Sequence, residues 1–170
     1  MTNNVTMTKF LGFLFSVVPL FPLCAQAPFP NDLLGVWRGT LYIYSPGALQ
    51  DSTQTQLTIA TTTDSSAWTW KTEYFTPKAP VVKDYVLRKK DGEHHYVIDE
   101  GDGIVLDTYR LGNQLLSTFE VQGALLTSRY RREGDQLTFE ITSAKPLDTT
   151  QGVTSYSVIS LQRAVLRRIE

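Results

Sequence analysis

Cysteine is nearly missing from this 170-residue chain: Cys24 is the only one, and it lies in an apolar N-terminal stretch. A chain cut after Ala25 or Ala27 holds no thiol. That excludes a disulfide framework, a thiolate metal site and a cysteine nucleophile from the remainder. Histidine is almost as scarce, with His94 and His95 the two present. Neighbours on a strand point to opposite faces, so this pair cannot readily ligate one metal. His95 does share parity with Glu93 and Asp99, but exposed histidines beside a hairpin explain the same pattern. No metal or other cofactor is expected.

A basic surplus is lacking too. The 16 Lys+Arg stand against 17 Asp+Glu, for a formal charge of −1. This balance speaks against a nucleic acid partner held by its phosphates. Several catalytic signatures are also missing. There is no G-x-S-x-G elbow. Asp99-Glu100-Gly101-Asp102-Gly103 lacks EF-hand spacing and has no following helix to form a phosphate site. Asp84, Asp99, Asp107, Glu120 and Glu140 offer carboxylates for acid/base chemistry of the glycosidase type, which needs two of them at a set separation. Solvated carboxylates on outer strand faces are the simpler account, so no catalytic residue is assigned.

Long hydrophobic runs are confined to the start. Phe10 to Leu23 is apolar but broken by Gly12, Ser16, Pro19 and Pro22, too short and interrupted for a membrane span. Lys9 precedes it and Ala25-Gln26-Ala27 follows, giving the three parts of a secretory signal peptide. Residues 1–27 are therefore expected to be a cleaved leader, and residues 28–170 a single domain that is exported, periplasmic or secreted. A second reading is lipid attachment at Cys24, although Leu23 stands where that chemistry wants a small residue. Without Lys9 the mature chain carries 15 basic (16 less Lys9) against 17 acidic residues.

What the chain has in quantity is short alternation. Trp37, Gly39, Leu41 and Ile43 alternate with Arg38, Thr40, Tyr42 and Tyr44, as in a half-buried strand. Before them, Pro28 to Leu34 reads as an extended lead-in, where Asn31 or Asp32 could cap one helical turn. The Thr/Ser/Gln-rich stretch from Gln50 places Thr55, Leu57 and Ile59 on one face. Trp68, Trp70 and Tyr74 share a face opposite Lys71 and Glu73. Further strands are expected over 83–89, 93–99, 104–111, 114–122, 125–132, 136–142 and about 153–167. Turn signals such as Asp91-Gly92, Gly112-Asn113 and Glu133-Gly134-Asp135 separate them. No amphipathic helix of useful length is present. The pattern predicts an all-β fold, a single antiparallel up-and-down barrel of about ten strands, with a β-sandwich as the alternative.

Gly35 and Trp37, just after the entry containing Asn31 and Asp32, resemble the G-x-W signature of the lipocalins and their calycin relatives, here a bacterial lipocalin-like β-barrel protein. The resemblance implies that Trp37 sits at the closed end with an arginine from the final strand packed across its ring. Arg163 is the matching candidate, since it shares parity with Ile159, Leu161 and Val165. Gly35, Trp37 and Arg163 would then close the barrel. Haem-binding barrels of similar shape use a histidine near the end of the chain, and none follows His95.

Such barrels often hold small molecules, but fold alone does not establish function. The ligand-facing expectation rests on Trp68, Trp70 and Tyr74, with Tyr85, Phe119 and Phe139 opposite. The same aromatics could simply be core. Three functions remain: an exported barrel binding a small apolar or amphipathic molecule; a side-chain-filled interaction or structural module of the cell envelope; and a carboxylate-based enzyme. Arg129 and Arg131 share one face of their strand and are read as a solvated basic face.

Overall fold

The structure, a computed structural model, describes residues 28–148 and 151–169. The expected leader, Cys24 included, lies outside these residues. Ten strands form in chain order: β1 Gly35–Ser45, β2 Ala48–Thr61, β3 Ala67–Phe75, β4 Pro80–Lys89, β5 His95–Gly101, β6 Ile104–Leu111, β7 Gln114–Val121, β8 Ala124–Glu133, β9 Gln136–Pro146 and β10 Tyr156–Arg168. Each pairs antiparallel with its sequence neighbour, and β10 pairs with β1 to close the barrel. The barrel expectation holds, and the sandwich does not form.

Several boundaries moved, among them the start of β4 at Pro80 rather than 83 and the span of β5, His95–Gly101 rather than 93–99. The Thr/Ser/Gln-rich stretch is strand almost throughout, since β2 starts at Ala48 and pairs with β1 from there. The last strand starts at Tyr156 rather than near Val153, and β9 runs on to Pro146. In the lead-in, a single 3-10 turn spans Asn31–Leu33, but neither Asn31 nor Asp32 caps it; Pro30 holds that position.

The alternation sets the inside. Trp37, Leu41, Leu57, Ile59, Trp70, Leu87, Ile98, Leu115, Leu137, Phe139 and Leu166 are buried in one continuous core. The outer face carries Arg38, Lys71, Glu73, Arg129, Glu140 and Arg163, joined in part by ion pairs such as Lys71–Glu73 at 3.1 Å. These outward charges differ from the apolar band of a membrane barrel. Among the described residues no helix is long and apolar enough to cross a membrane.

Two glycines of β1 have structural reasons. Gly35 adopts φ 130° as the chain leaves the 3-10 turn, a conformation open to residues without a Cβ. At Gly39 a Cβ would lie 2.3 Å from the Val165 carbonyl oxygen of β10, so the seam requires its absence.

The lead-in plugs one end. The Trp37 indole N–H donates to the Leu33 carbonyl at 2.8 Å, and Trp68 donates to the Asn31 side chain at 2.9 Å. Arg132 donates to both the Asp32 carboxylate (3.1 Å) and its carbonyl (2.9 Å). Arg168 donates to that same carbonyl at 2.6 Å. The opposite end carries the β1–β2, β3–β4, β5–β6 and β7–β8 turns and has no such plug among the described residues.

The wall is uneven. The strands β6 and β7 pair only at Tyr109–Leu116, Arg110–Leu115 and Leu111–Gln114. Next along them a hydroxyl bridge, Thr108–Ser117 at 2.6 Å, takes the place of the ladder. Beyond it the two strands run unpaired toward the unplugged end.

Candidate functional site

Arg163 does not close the barrel. It faces outward, about half exposed, with its guanidinium 3.5 Å from Glu140, which also holds Arg129. The arginine over the Trp37 ring is Arg168, 4.5 Å from the indole centroid. The register explains the correction. Leu41 opposes Ala164 and Trp37 opposes Arg168, so even-numbered residues of β10 point inward along this pairing. Ile159 and Val165, which share parity with Arg163, are exposed. In a run such as Ala164-Val165-Leu166 both parities are apolar, and a one-residue slip exchanges the faces.

The six aromatic candidates occupy three depths. Trp68 belongs to the plugged end through its bond to Asn31. Trp70 and Phe139 fill the middle around Tyr130: Trp70 meets its ring edge-on at 5.1 Å, and Phe139 stacks on it at 4.6 Å. Tyr74, half-buried, stands nearer the mouth on β3, whereas Tyr85, also half-buried, lies directly opposite Trp70 in the β3–β4 ladder. Phe119, also half-buried, faces inward on β7 at the unpaired stretch.

Two recesses flank this filled middle. One, of about 690 Å³, lies at the plugged end between the lead-in and the β6–β7 and β8–β9 turns, bordered by Phe29, Asp32, Arg110, Asn113 and Arg132. Here the Arg110 guanidinium lies 4.9 Å from the Phe29 ring centroid. The other, of about 620 Å³, opens at the mouth. Ile43, Asp51, Thr53, Tyr74, Val81 and Gln162 border it, and Asp51 is the one charged residue among all that line it. Its size and mainly apolar walls with a few polar groups suit a small organic molecule.

Between mouth and middle lies a polar cluster. Burial pushes the Tyr85 hydroxyl pKa up to about 12, and the charge of the Glu100 carboxylate adds to the rise. Burial raises Tyr74 too, with Glu100 adding to the effect. Tyr130 is raised furthest, by burial first and then by Tyr74, Tyr85 and Glu100. The fully buried Trp70 Nε1 faces the Tyr130 hydroxyl closely enough to favour a phenolate, yet no hydrogen bond of normal geometry forms.

The other candidates stay on the outside. Asp99 meets Arg88 at 3.3 Å, Asp107 meets His95 at 3.0 Å, and Glu140 is shared by two arginines. Asp84 and Glu120 are exposed on their strands. His95 stacks on Tyr109 at 4.5 Å. These carboxylates do not converge on a pocket, and among the described residues no group of three His, Cys, Asp or Glu side chains could hold a metal ion. Arg131 pairs with Glu133 at 3.6 Å.

Sequence reading missed Asp51 and Gln162, which border the mouth recess. Asp51 shares parity with Thr53, Thr55 and Leu57.

The fold so defined is a closed ten-strand antiparallel β-barrel, plugged at the Trp37 end. Similar solved structures include the S-type phycobiliprotein lyase CPES from Guillardia theta, with TM-score 0.58 and 13% identity over 81% of this chain and 88% of that one. A DUF3598-family protein of unknown function from Nostoc punctiforme gives TM-score 0.56 and 17% identity over 82% of this chain. This chain spans about half, 48%, of that protein's length. Rv2717c from M. tuberculosis gives 0.51 and 18%, over 81% of this chain and 93% of that one. No protein-family profile matches the sequence, and no curated protein matches it.

Proposed function

We propose that this protein is an exported barrel that binds a small apolar or amphipathic molecule at its open end. The observation that carries the reading is the recess of about 620 Å³ at the unplugged mouth. Its apolar walls remove ligand surface from water, and its polar rim can orient a head group. Of the six aromatic candidates Tyr74 lines this recess, with Leu41, Ile43, Phe75 and Val81, and flanks the ligand; Trp68, Trp70, Tyr85, Phe119 and Phe139 are not among the residues that line it. The likeness to a phycobiliprotein lyase supports the fold on which this reading is built; the site itself is argued from this chain's own mouth.

Export rests on the leader pattern of residues 1–27. N-terminal sequencing of protein from its source should begin at Gln26 or Pro28. A chain still carrying Met1 or Met7 would overturn export, and a lipid on Cys24 would favour the anchored form.

Binding is tested with a neutral solvatochromic dye. Its fluorescence should rise on mixing with the protein, and Gln162→Trp, which fills the mouth, should abolish the rise while the fold persists by circular dichroism. A dye signal that is absent, or equal in the variant, would overturn mouth binding. The filled middle around Trp70, Tyr130 and Phe139 favours the second reading, an interaction module of the envelope, if no small molecule binds.

A further inference from the structure

We infer that the recess at the plugged end is a second binding site, which takes organic anions with an apolar tail and anchors them on Arg110. This site is separate from the mouth and does not depend on the mouth-binding reading. A regularity of the topology carries it. The strands β6, β8 and β10 all finish at the plugged end, and the inward face of each finishes on an arginine. Arg110 follows Leu106 and Thr108, Arg132 follows Ser128 and Tyr130, and Arg168 follows Ala164 and Leu166.

These three arginines have one carboxylate between them. Asp32 gives its side chain and its carbonyl to Arg132, and its carbonyl alone to Arg168. Arg110 takes part in none of the ion pairs among the described residues. On the outer face, by contrast, Arg88, Arg129, Arg131, Arg163 and Arg167 each meet a carboxylate. A positive excess therefore remains at the plugged end. Arg168 stands over Trp37 and is not among the residues that line the recess. Arg110 and Arg132 both line it, and Asp32 is the one acid that does. A cleft lined by one sign of charge concentrates ligands of the other.

Arg110 is held in place rather than waving in solvent. It is half-buried, with its guanidinium 4.9 Å from the Phe29 ring centroid. Its Nε donates to the Gly112 carbonyl at 3.3 Å, which leaves the two Nη groups for a ligand. The rim around it is tied in both directions. Asn113 donates its side-chain amide to the Arg132 carbonyl at 3.0 Å and accepts the Arg132 backbone N–H at 3.2 Å. The β6–β7 turn is thereby fixed against the end of β8, so little ordering is left for a ligand to impose. A guanidinium with unused N–H groups matches a carboxylate and binds it through charge-assisted bonds. Inside the rim the lining turns apolar, with Leu33, Leu115, Leu137 and Tyr130, all of them buried. These side chains take the tail out of water, and a recess of about 690 Å³ admits a small organic molecule.

The test is a residue-resolved NMR titration near neutral pH with three probes of one tail length: octanoate, octanol and octylammonium. The amides of Gly112, Asn113 and Gly134 report the plugged end, and those of Thr53 and Gln162 report the mouth. At the plugged-end amides octanoate should bind roughly tenfold more tightly than octanol, with octylammonium weakest, a margin typical of one charge-assisted hydrogen bond. Arg110→Gln should lower octanoate affinity there roughly tenfold and leave octanol affinity unchanged. If Arg110→Gln fails to fold, the order of the three probes on the wild-type protein decides alone. Plugged-end amides unmoved by octanoate, octanol binding there as tightly as octanoate, or an octanoate affinity unmoved in Arg110→Gln would each overturn the anion site. The mouth reading is judged by its own amides, so either site can fail while the other stands.

Discussion

The guanidinium of Arg168 lies 4.5 Å above the Trp37 ring and also donates to the Asp32 carbonyl at 2.6 Å. One side chain thus joins the last strand, the first strand and the lead-in. Its charge is partly desolvated, and burial together with neighbouring Arg132 lowers its pKa. Arg168→Ala should cost about 1–3 kcal/mol in denaturant unfolding. Arg163→Ala removes one of two cations on Glu140 at the surface and should cost less than about 1 kcal/mol. The reverse order would refute Arg168 as the closure residue. Trp37→Ala, in the middle of this packing, should cost about 3–5 kcal/mol.

Gly39 gives a second test of the seam. A methyl group there meets the Val165 carbonyl oxygen at 2.3 Å and a Leu166 methyl at 3.1 Å. Backbone cannot swing aside as a side chain can, so Gly39→Ala must push β1 from β10. A loss of about 1–3 kcal/mol is expected, the size of overpacking in a tight core. Hydrogen exchange should speed up for amides of Leu41 and Ala164 before those of β7 and β8. Unchanged stability would mean that the strands do not approach this closely.

The ten strands were legible because each alternates and each ends at a turn signal. Leu137, Phe139 and Ile141, set against Thr138, Glu140 and Thr142, allow only one inward face. The closure arginine was not legible because β10 lacks such contrast. Ile159, Leu161 and Val165 look like a core face, while Ala164 and Leu166 hold it. Only pairing with β1 settles the parity, and that pairing spans most of the chain. The mouth was hidden for a different reason. Aromatic residues mark apolar faces without giving depth, so Trp68, Trp70 and Tyr74 read as one platform although they stand at three levels. Asp51 looked like loop polarity, and its place beside the recess depends on where β2 begins.

The plug depends on contacts made a hundred residues apart in sequence. Arg132 reaches Asp32 through both its carboxylate and its carbonyl, and the two side chains are largely sheltered. The other carboxylate oxygen of Asp32 is buried without a partner. Arg132→Ala strands this carboxylate and should cost about 1.5–3 kcal/mol, as for hydrogen bonds to charged groups. Adding Asp32→Asn to Arg132→Ala should recover part of that loss, because the stranded charge is gone. A double variant weaker by the full sum of the two single losses would show that the residues do not interact.

The buried tyrosines predict a loss of stability at high pH. Burial and the Glu100 carboxylate raise Tyr85 from 10 to about 12 in the folded state. Tyr74 and Tyr130 move the same way for the same first reason. A raised folded pKa means that the native protein holds its phenolic protons when the unfolded chain has begun to release them. Below pH 10 both states are protonated, and the full contribution is present. As pH rises from 10 toward 12 the unfolded state gains by ionising first, so stability falls across that window. Urea unfolding at a series of pH values should therefore be flat with respect to these groups up to about pH 10 and decline steeply above it. Tyr85→Phe removes one titrating proton and should make the decline shallower, whereas Tyr109→Phe, on the exposed outer face, should not. An equal slope in wild type and Tyr85→Phe would place Tyr85 in solvent and remove it from the cluster beneath the mouth.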